Sequence, residues 1–218
     1  MAAEATRVYL EIGTKKVFAS AADWPGWCRS GKGDEGALEA LASYLPRYAE
    51  VATEAGLTLP AGSGGTFEVV ERLPGDMTTD FGAPGAVADA ERGPLSAADA
   101  DRLATLVAAA WAVLDRVVAA TPAELSKGPR GGGRDRDKMV DHVLGAESAY
   151  ARKIGARHRQ PALDDSAAIA AMRGDIVASL RSSPGATSPD KGWPPSYAAR
   201  RIAWHVLDHA WEMQDRSS

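Results

Sequence analysis

The sequence predicts an α+β protein in which a small β-β-α-β region precedes an up-and-down four-helix bundle. Three observations carry this prediction. Alternating apolar residues near the N-terminus are typical of strands, four segments of the second half have helical periodicity, and a stretch rich in Gly, Pro, Asp and Ala without a steady period separates them. We therefore divide the chain into an α/β domain over 1–75, a linker over 76–93 and a four-helix bundle over 94–218.

The first region begins with a predicted β-hairpin. Over residues 7–12, Tyr9 and Glu11 alternate with apolar side chains, which predicts a strand with one buried face formed by Val8, Leu10 and Ile12. A turn leads into a second strand over 16–22, and a further strand is expected over 66–73.

A helix is expected between these strands. Asp34 is predicted to be the N-cap of this helix. Apolar residues then recur along it at helical spacing: Leu38, Leu41, Leu45 and Tyr48. Pro46 lacks a backbone N–H, so we expect it to kink this helix.

The second half contains four predicted helices. Ser96 is expected to cap the first helix, and Asp99, three residues later, completes a weaker form of the capping box. The apolar stripe of this helix extends to Val117. The other three helices are predicted over about 136–154, 166–182 and 196–216. Four helices of this length, joined by loops, are sufficient for a bundle.

Charge and composition exclude several classes of protein. The net charge of −4 is uneven, with −6 on residues 1–93 and +2 on residues 94–218, and no sustained basic stripe is present, which disfavours nucleic-acid binding. No run of 18–20 apolar residues occurs, as a membrane span would require, and the N-terminus lacks the pattern of a secretory signal. We therefore expect a cytoplasmic protein.

Three of the four histidines lie where a bundle could bring them together. His205 and His209 are spaced i, i+4 on the fourth helix, so their imidazoles share one face, and His142 lies on the second helix. Three neutral imidazoles fill three positions around a divalent metal and leave one open for water or substrate. Zn²⁺ is the first expectation and Ni²⁺ the second, although such a site also accepts Co, Cu or Fe.

Charged side chains border this histidine pair. Arg201, Asp208 and Glu212 fall within the same arc of the fourth helix, which makes them candidate catalytic residues. A carboxylate there would orient an imidazole or act as a general base. The alternative is a solvated ladder in which the carboxylates pair with Arg201 and Arg216. Small residues beside His142 are expected to leave room for substrate: Gly145, Ala146 and Ala149.

Four other features receive structural interpretations. The glycines at 131–133 are interpreted as a loop, because the Lys-Ser/Thr of a phosphate-binding loop does not follow them. His158 is interpreted as part of a basic cluster at the end of the second helix. Cys28 is the single cysteine, cannot form an internal disulfide and has no adjacent base. Trp204 and Trp211 are expected to pack the bundle.

The helical half resembles the DinB/YfiT-like superfamily of four-helix metalloproteins. The matching stretches are MVDHVLGAESAYA at 139–151 and IAWHVLDHAWEMQDR at 202–216, and the superfamily's metal triad falls on His142, His205 and His209. The resemblance implies a divalent metal and a thiol-dependent transferase, isomerase or related enzyme that uses a low-molecular-weight thiol.

Residues 7–73 resemble the HicB antitoxin-type fold. The resemblance is carried by VFASAADWPGWC at 17–28 and by the helix that follows it, and it implies a β-β-(β)-α-β unit. The DNA-binding tail of those antitoxins has no counterpart here, so DNA binding is not expected. The N-terminal domain is expected to serve as a docking or dimerisation module or to cover the pocket of the helical bundle.

Two functions remain open at this point. The first is a metal-dependent enzyme acting on a small molecule, with Asp208 or Glu212 assisting proton transfer. The second is a non-catalytic binding protein whose acidic first half, with the Trp24–Trp27 turn as a surface, captures a basic protein partner. If a strand edge is exposed, a homodimer through that edge is a further expectation.

Overall fold

The computed structural model describes residues 5–127, 133–183 and 192–217. It is a mixed α+β structure, as the sequence predicts. In chain order the elements are β1 (Thr6–Ile12), β2 (Val17–Ala21), β3 (Cys28–Gly31), α1 (Gly33–Ser43), α2 (Leu45–Glu54), β4 (Phe67–Pro74), α3 (Met77–Phe81), a 3₁₀ turn (Asp89–Arg92), α4 (Ala97–Ala120), α5 (Arg136–Lys153), α6 (Ser166–Arg181) and α7 (Pro195–Arg216).

The four strands form one sheet in the order β3-β2-β1-β4. β2 pairs antiparallel with both β1 and β3, whereas β4 pairs parallel with β1 after the chain crosses over through α1 and α2. The residue pattern alone does not predict β3, because a strand of four residues is too short to show a clear alternation. The edge strand β4 has a register shift beside Val70 and exposed charges at Glu68 and Arg72, features that oppose pairing with a second sheet.

The prediction of one buried face on β1 is wrong. Tyr9 and Glu11 are both buried, while Ile12 is 38% exposed. The carboxylate of Glu11 accepts hydrogen bonds from the Thr79 hydroxyl at 2.6 Å and from the backbone N–H of Gly85 at 2.9 Å. Both faces of the strand are therefore covered, the second one by the segment that follows β4.

That segment, residues 76–93, was expected to be a linker, and the structure gives it ordered elements. Asp76 caps α3 by accepting from the N–H of Thr78 at 2.7 Å. Glu91 forms a buried ion pair with Arg200 of α7, with Nε and Oε1 2.5 Å apart. The segment thus connects the sheet to the last helix.

The helical segment between β3 and β4 consists of two helices rather than one kinked helix. The break is at Tyr44, and Pro46 lies in the first turn of α2, where a missing N–H costs no helical hydrogen bond. Asp34 is not the N-cap, which is Lys32, but it lies in the first turn of α1.

α5, α6 and α7 begin and end within one residue of the predicted positions, and α4 begins directly after the predicted cap. Ser96 caps α4 as expected, accepting from the N–H of Asp99 at 3.0 Å. α4 and α5 each pack against both α6 and α7, which closes a four-helix arrangement. One hydrophobic core continues from the sheet into this bundle and includes Val8, Leu10, Leu106, Leu114 and Ile202.

α4 is the one described helix with the length and composition to cross a membrane. Of its most apolar 18-residue window, 56% is buried inside the protein. This burial is typical of a central core helix.

The Trp24–Trp27 turn is not a surface feature, because Trp27 is fully buried and Trp24 is 9% exposed. The turn packs on α7 at Gly26, whose φ is +93°. A Cβ at Gly26 would lie 2.7 Å from Cδ1 of Leu207 and 3.0 Å from Cβ of Ala203. The turn therefore joins the sheet to the bundle and is not available to a partner.

Candidate metal centre

Helices α5 and α7 bring the three predicted histidines together. His142 projects from α5, and His205 and His209 project from successive turns of α7. The Nε2 atoms of His142 and His205 are 3.3 Å apart, and one ligand nitrogen from each of the three imidazoles lies within 4.8 Å of the others. The sequence prediction that these side chains meet is confirmed.

The spacing fits a metal ion. Tetrahedral zinc with Zn–N bonds of about 2.0–2.1 Å separates two ligand nitrogens by about 3.3–3.4 Å. The Nε2 atoms of His142 and His205 are at this separation. Among the described residues no fourth ligand joins the three imidazoles, which leaves a coordination position open, as in catalytic zinc sites.

Burial keeps two of the imidazoles neutral. His205 is 7% exposed, and burial lowers its pKa well below the ordinary value, with a further contribution from the neighbouring histidines. Burial also lowers the pKa of His142. Since a metal ion binds only the neutral imidazole, these groups are ready to bind at neutral pH without losing a proton.

Glu212 orients His209. Its Oε2 lies 3.2 Å from Nδ1 of His209, while its Oε1 accepts from Arg216 at 2.9 Å. The hydrogen bonds from His209 and Arg216 lower the pKa of Glu212, so the carboxylate is ionised and can only accept. Nδ1 of His209 therefore carries the proton, and its Nε2 lone pair is left for a metal.

The second nitrogen of His205 has no such partner. Among the described residues, Nδ1 of His205 is buried without a hydrogen-bond partner. Within the part of the chain that the structure describes, the one polar atom at hydrogen-bond distance from the His205 ring is Nε2 of His142.

The other two predicted site residues face the N-terminal half. Oδ1 of Asp208 accepts from Arg29 of β3 at 2.8 Å, and the Arg29 guanidinium lies 3.9 Å from the centre of the Tyr44 ring. Arg201 donates to the carbonyl of Pro84 at 3.2 Å. The N-terminal half therefore borders the helix that carries two of the three histidines. The sequence does not predict Arg29 and Pro84 as partners of Asp208 and Arg201, because no local pattern links them to α7.

The space expected beside His142 is partly filled. A Cβ at Gly145 would meet Oε1 of Gln160 at 2.9 Å. The Gln160 side chain is held there by hydrogen bonds to Asp141, with its Nε2 2.7 Å from Oδ1. Gly145 thus makes room for a protein side chain and not for substrate.

The remaining candidates have structural roles. His158 pairs with Asp175 of α6 at 2.8 Å. The Cys28 thiol accepts from Ser20 at 3.0 Å, and burial raises its pKa to about 12, so it is protonated at neutral pH. Residues 131 and 132 of the glycine run lie outside the described residues.

The two tryptophans pack against the N-terminal half. The Trp204 ring lies edge-on to Phe18 with centroids 6.1 Å apart. Trp211 lies edge-on to Tyr44 at 5.1 Å.

Comparison with known proteins identifies no relative: no protein-family model, curated protein or solved structure matches the chain. The resemblances to the DinB/YfiT-like superfamily and to HicB-type antitoxins therefore stay predictions. The histidine cluster itself is the feature that indicates a function.

Proposed function

We propose that the protein is a divalent-metal-dependent enzyme that acts on a small molecule in the cytoplasm. His142, His205 and His209 would hold the ion, with Zn²⁺ the first candidate and Ni²⁺ the second. The observation that carries the proposal is the convergence of three imidazoles from two helices, with ligand nitrogens within 4.8 Å.

The site's chemistry favours activation of a thiol or a water molecule. A bound metal would lower the pKa of a coordinated thiol or water and so supply a nucleophile at neutral pH. We favour a low-molecular-weight thiol because of the family resemblance. The reaction is then a transfer, isomerisation or hydrolysis.

We assign different roles to the two candidate carboxylates. Glu212 is a positioning residue, because it contacts the ring nitrogen of His209. Asp208 bonds Arg29, so we assign it to holding β3 against α7 and not to proton transfer.

The binding-protein alternative is weaker. Its second motivation was an exposed tryptophan turn, and that turn is buried against α7. The acidic first half alone does not define a partner.

Metal analysis of the purified, untagged protein tests the proposal, with His142→Ala as the loss variant and His158→Ala as the matched control. His158 is the one histidine outside the cluster. We expect near-stoichiometric metal after incubation with Zn²⁺ in the wild type and in His158→Ala, and loss of metal in His142→Ala. Equal metal in all three proteins, or none in the wild type, would refute the proposal.

A further inference from the structure

Arg201 is a cation at the edge of the histidine cluster, and it has no anionic partner among the described residues. It lies one turn before His205 on α7, and its guanidinium is half-buried, 4.7 Å from the centre of the Trp204 ring and 5.7 Å from that of Tyr150. Within the described parts of the chain, no carboxylate lies within 4 Å of it. Its one hydrogen bond goes to the Pro84 carbonyl.

The neighbouring arginines differ in this respect. Arg200 pairs with Glu91 at 2.5 Å, Arg29 with Asp208 at 2.8 Å and Arg216 with Glu212 at 2.9 Å. Partial burial of a cation is costly unless an anion compensates it. Of these four arginines, Arg201 alone has no ion pair within the described residues, so its guanidinium can still accept an anion from a ligand.

The protein holds Arg201 in place through the segment 84–86. Gly85 and Ala86 donate their N–H groups to Glu11, and the Gly85 carbonyl accepts from the Tyr197 hydroxyl at 2.9 Å. The Pro84 carbonyl is thus fixed by hydrogen bonds on its C-terminal side, and it fixes one end of the guanidinium. A pre-positioned guanidinium loses little entropy when it binds a ligand.

Aromatic rings lie beside this cation. Tyr150 contacts Trp193 with centroids 5.0 Å apart and lies 5.7 Å from the His205 ring. The indole Nε1 of Trp204 is buried without a hydrogen-bond partner among the described residues. The Arg201 guanidinium therefore lies between aromatic rings and near an indole N–H that has no acceptor among the described residues.

We propose that Arg201 binds the carboxylate of an apolar organic acid, whose hydrocarbon part contacts Tyr150 and whose other end faces the histidine cluster. This inference rests on the proposed function and names its substrate class. The planar fork of a guanidinium matches a carboxylate in two parallel hydrogen bonds, and stacking on aromatic rings favours that planar geometry.

Ligand-observed NMR titration with benzoate tests the assignment, using the neutral isostere benzamide and the dianion phenyl phosphate for comparison. The proteins are the wild type, Arg201→Gln, Arg201→Lys and the control Arg157→Gln, which alters an exposed arginine on the loop after α5. Each is titrated with and without Zn²⁺, and its metal content is measured separately.

We expect benzoate to bind the wild type in both metal states and benzamide not to bind. Arg201→Gln should weaken benzoate binding by about 10- to 100-fold, Arg201→Lys by less, and Arg157→Gln should leave it unchanged. Metal content should be the same in all four proteins.

Three results would overturn the inference: no benzoate binding to the wild type, benzoate binding that depends on Zn²⁺ but not on Arg201, or tighter binding of phenyl phosphate than of benzoate. These failures leave the metal site intact. Absence of metal from the wild type would instead refute the proposed function, and the metal-free titration would still report on Arg201.

Discussion

The Nε2 atom of His142 on α5 lies 3.3 Å from the Nε2 atom of His205 on α7, although 63 residues separate the two histidines in the chain. Two neutral imidazoles can share only one proton at this contact. A divalent cation that accepts the lone pairs of both nitrogens is the alternative, and His209 would provide a third ligand from the next turn of α7.

Glu212→Gln tests the support given to His209. The amide keeps the shape of the side chain but loses the charge, so we expect metal affinity to fall by about 10- to 100-fold. Competition with a chromogenic chelator measures this change. Glu124→Gln, which alters an exposed carboxylate, is the control. Equal affinity in Glu212→Gln and the wild type would show that His209 needs no carboxylate partner.

The metal-free protein should lose stability in acid. Burial lowers the pKa of both His142 and His205 in the folded state, so the unfolded chain binds protons more readily. Their contribution to the free energy of unfolding is present above the ordinary histidine pKa of 6.5 and is lost as the pH falls below it.

Urea unfolding of chelator-treated protein at about pH 5 and about pH 7.5 measures this loss. The double variant His142→Ala/His205→Ala should show a smaller pH dependence than the wild type. An unchanged dependence would mean that other groups dominate the acid response.

Gly26→Ala should destabilise the protein. The new Cβ would lie 2.7 Å from Leu207 and would sit at a φ of +93°, so we expect a loss of about 1–3 kcal/mol. Gly174→Ala is the matched control, because Gly174 lies within α6 with open space around it and should gain about 0.5–1 kcal/mol. Chemical denaturation compares the two. A Gly26→Ala variant as stable as the wild type would contradict the close packing of this turn on α7.

Glu91→Gln tests the connection between the segment 76–93 and α7. Glu91 and Arg200 are each 4% exposed, and removing one partner of a buried ion pair costs about 3–5 kcal/mol. Asp23→Asn breaks the exposed pair with Arg7 and should cost about 0–1 kcal/mol. Thermal unfolding measures both variants. Equal losses would show that the buried pair contributes no more than a surface one.

Local patterns predicted much of this structure. The bundle helices have regular apolar stripes and a capping residue at Ser96, so their limits followed from the sequence. His205, His209 and Glu212 share one face of one helix, so their proximity followed from helical geometry. The addition of His142 needed only the assumption that the helices form a bundle.

The errors concern contacts between distant segments. The second face of β1 was expected to be open because the segment that covers it has no periodic pattern, yet Gly85 and Ala86 donate their backbone N–H groups to Glu11. Asp208 was expected beside the metal, but it bonds Arg29, which lies 179 residues earlier in the chain. Neither partner has a local signal.

X-ray absorption spectroscopy of the Zn²⁺-loaded protein tests the central claim most directly. We predict three imidazole nitrogens at about 2.0–2.1 Å with one additional light-atom ligand, and loss of imidazole scattering in His205→Ala. A spectrum without imidazole ligands, or one unchanged in His205→Ala, would contradict a metal centre formed by His142, His205 and His209.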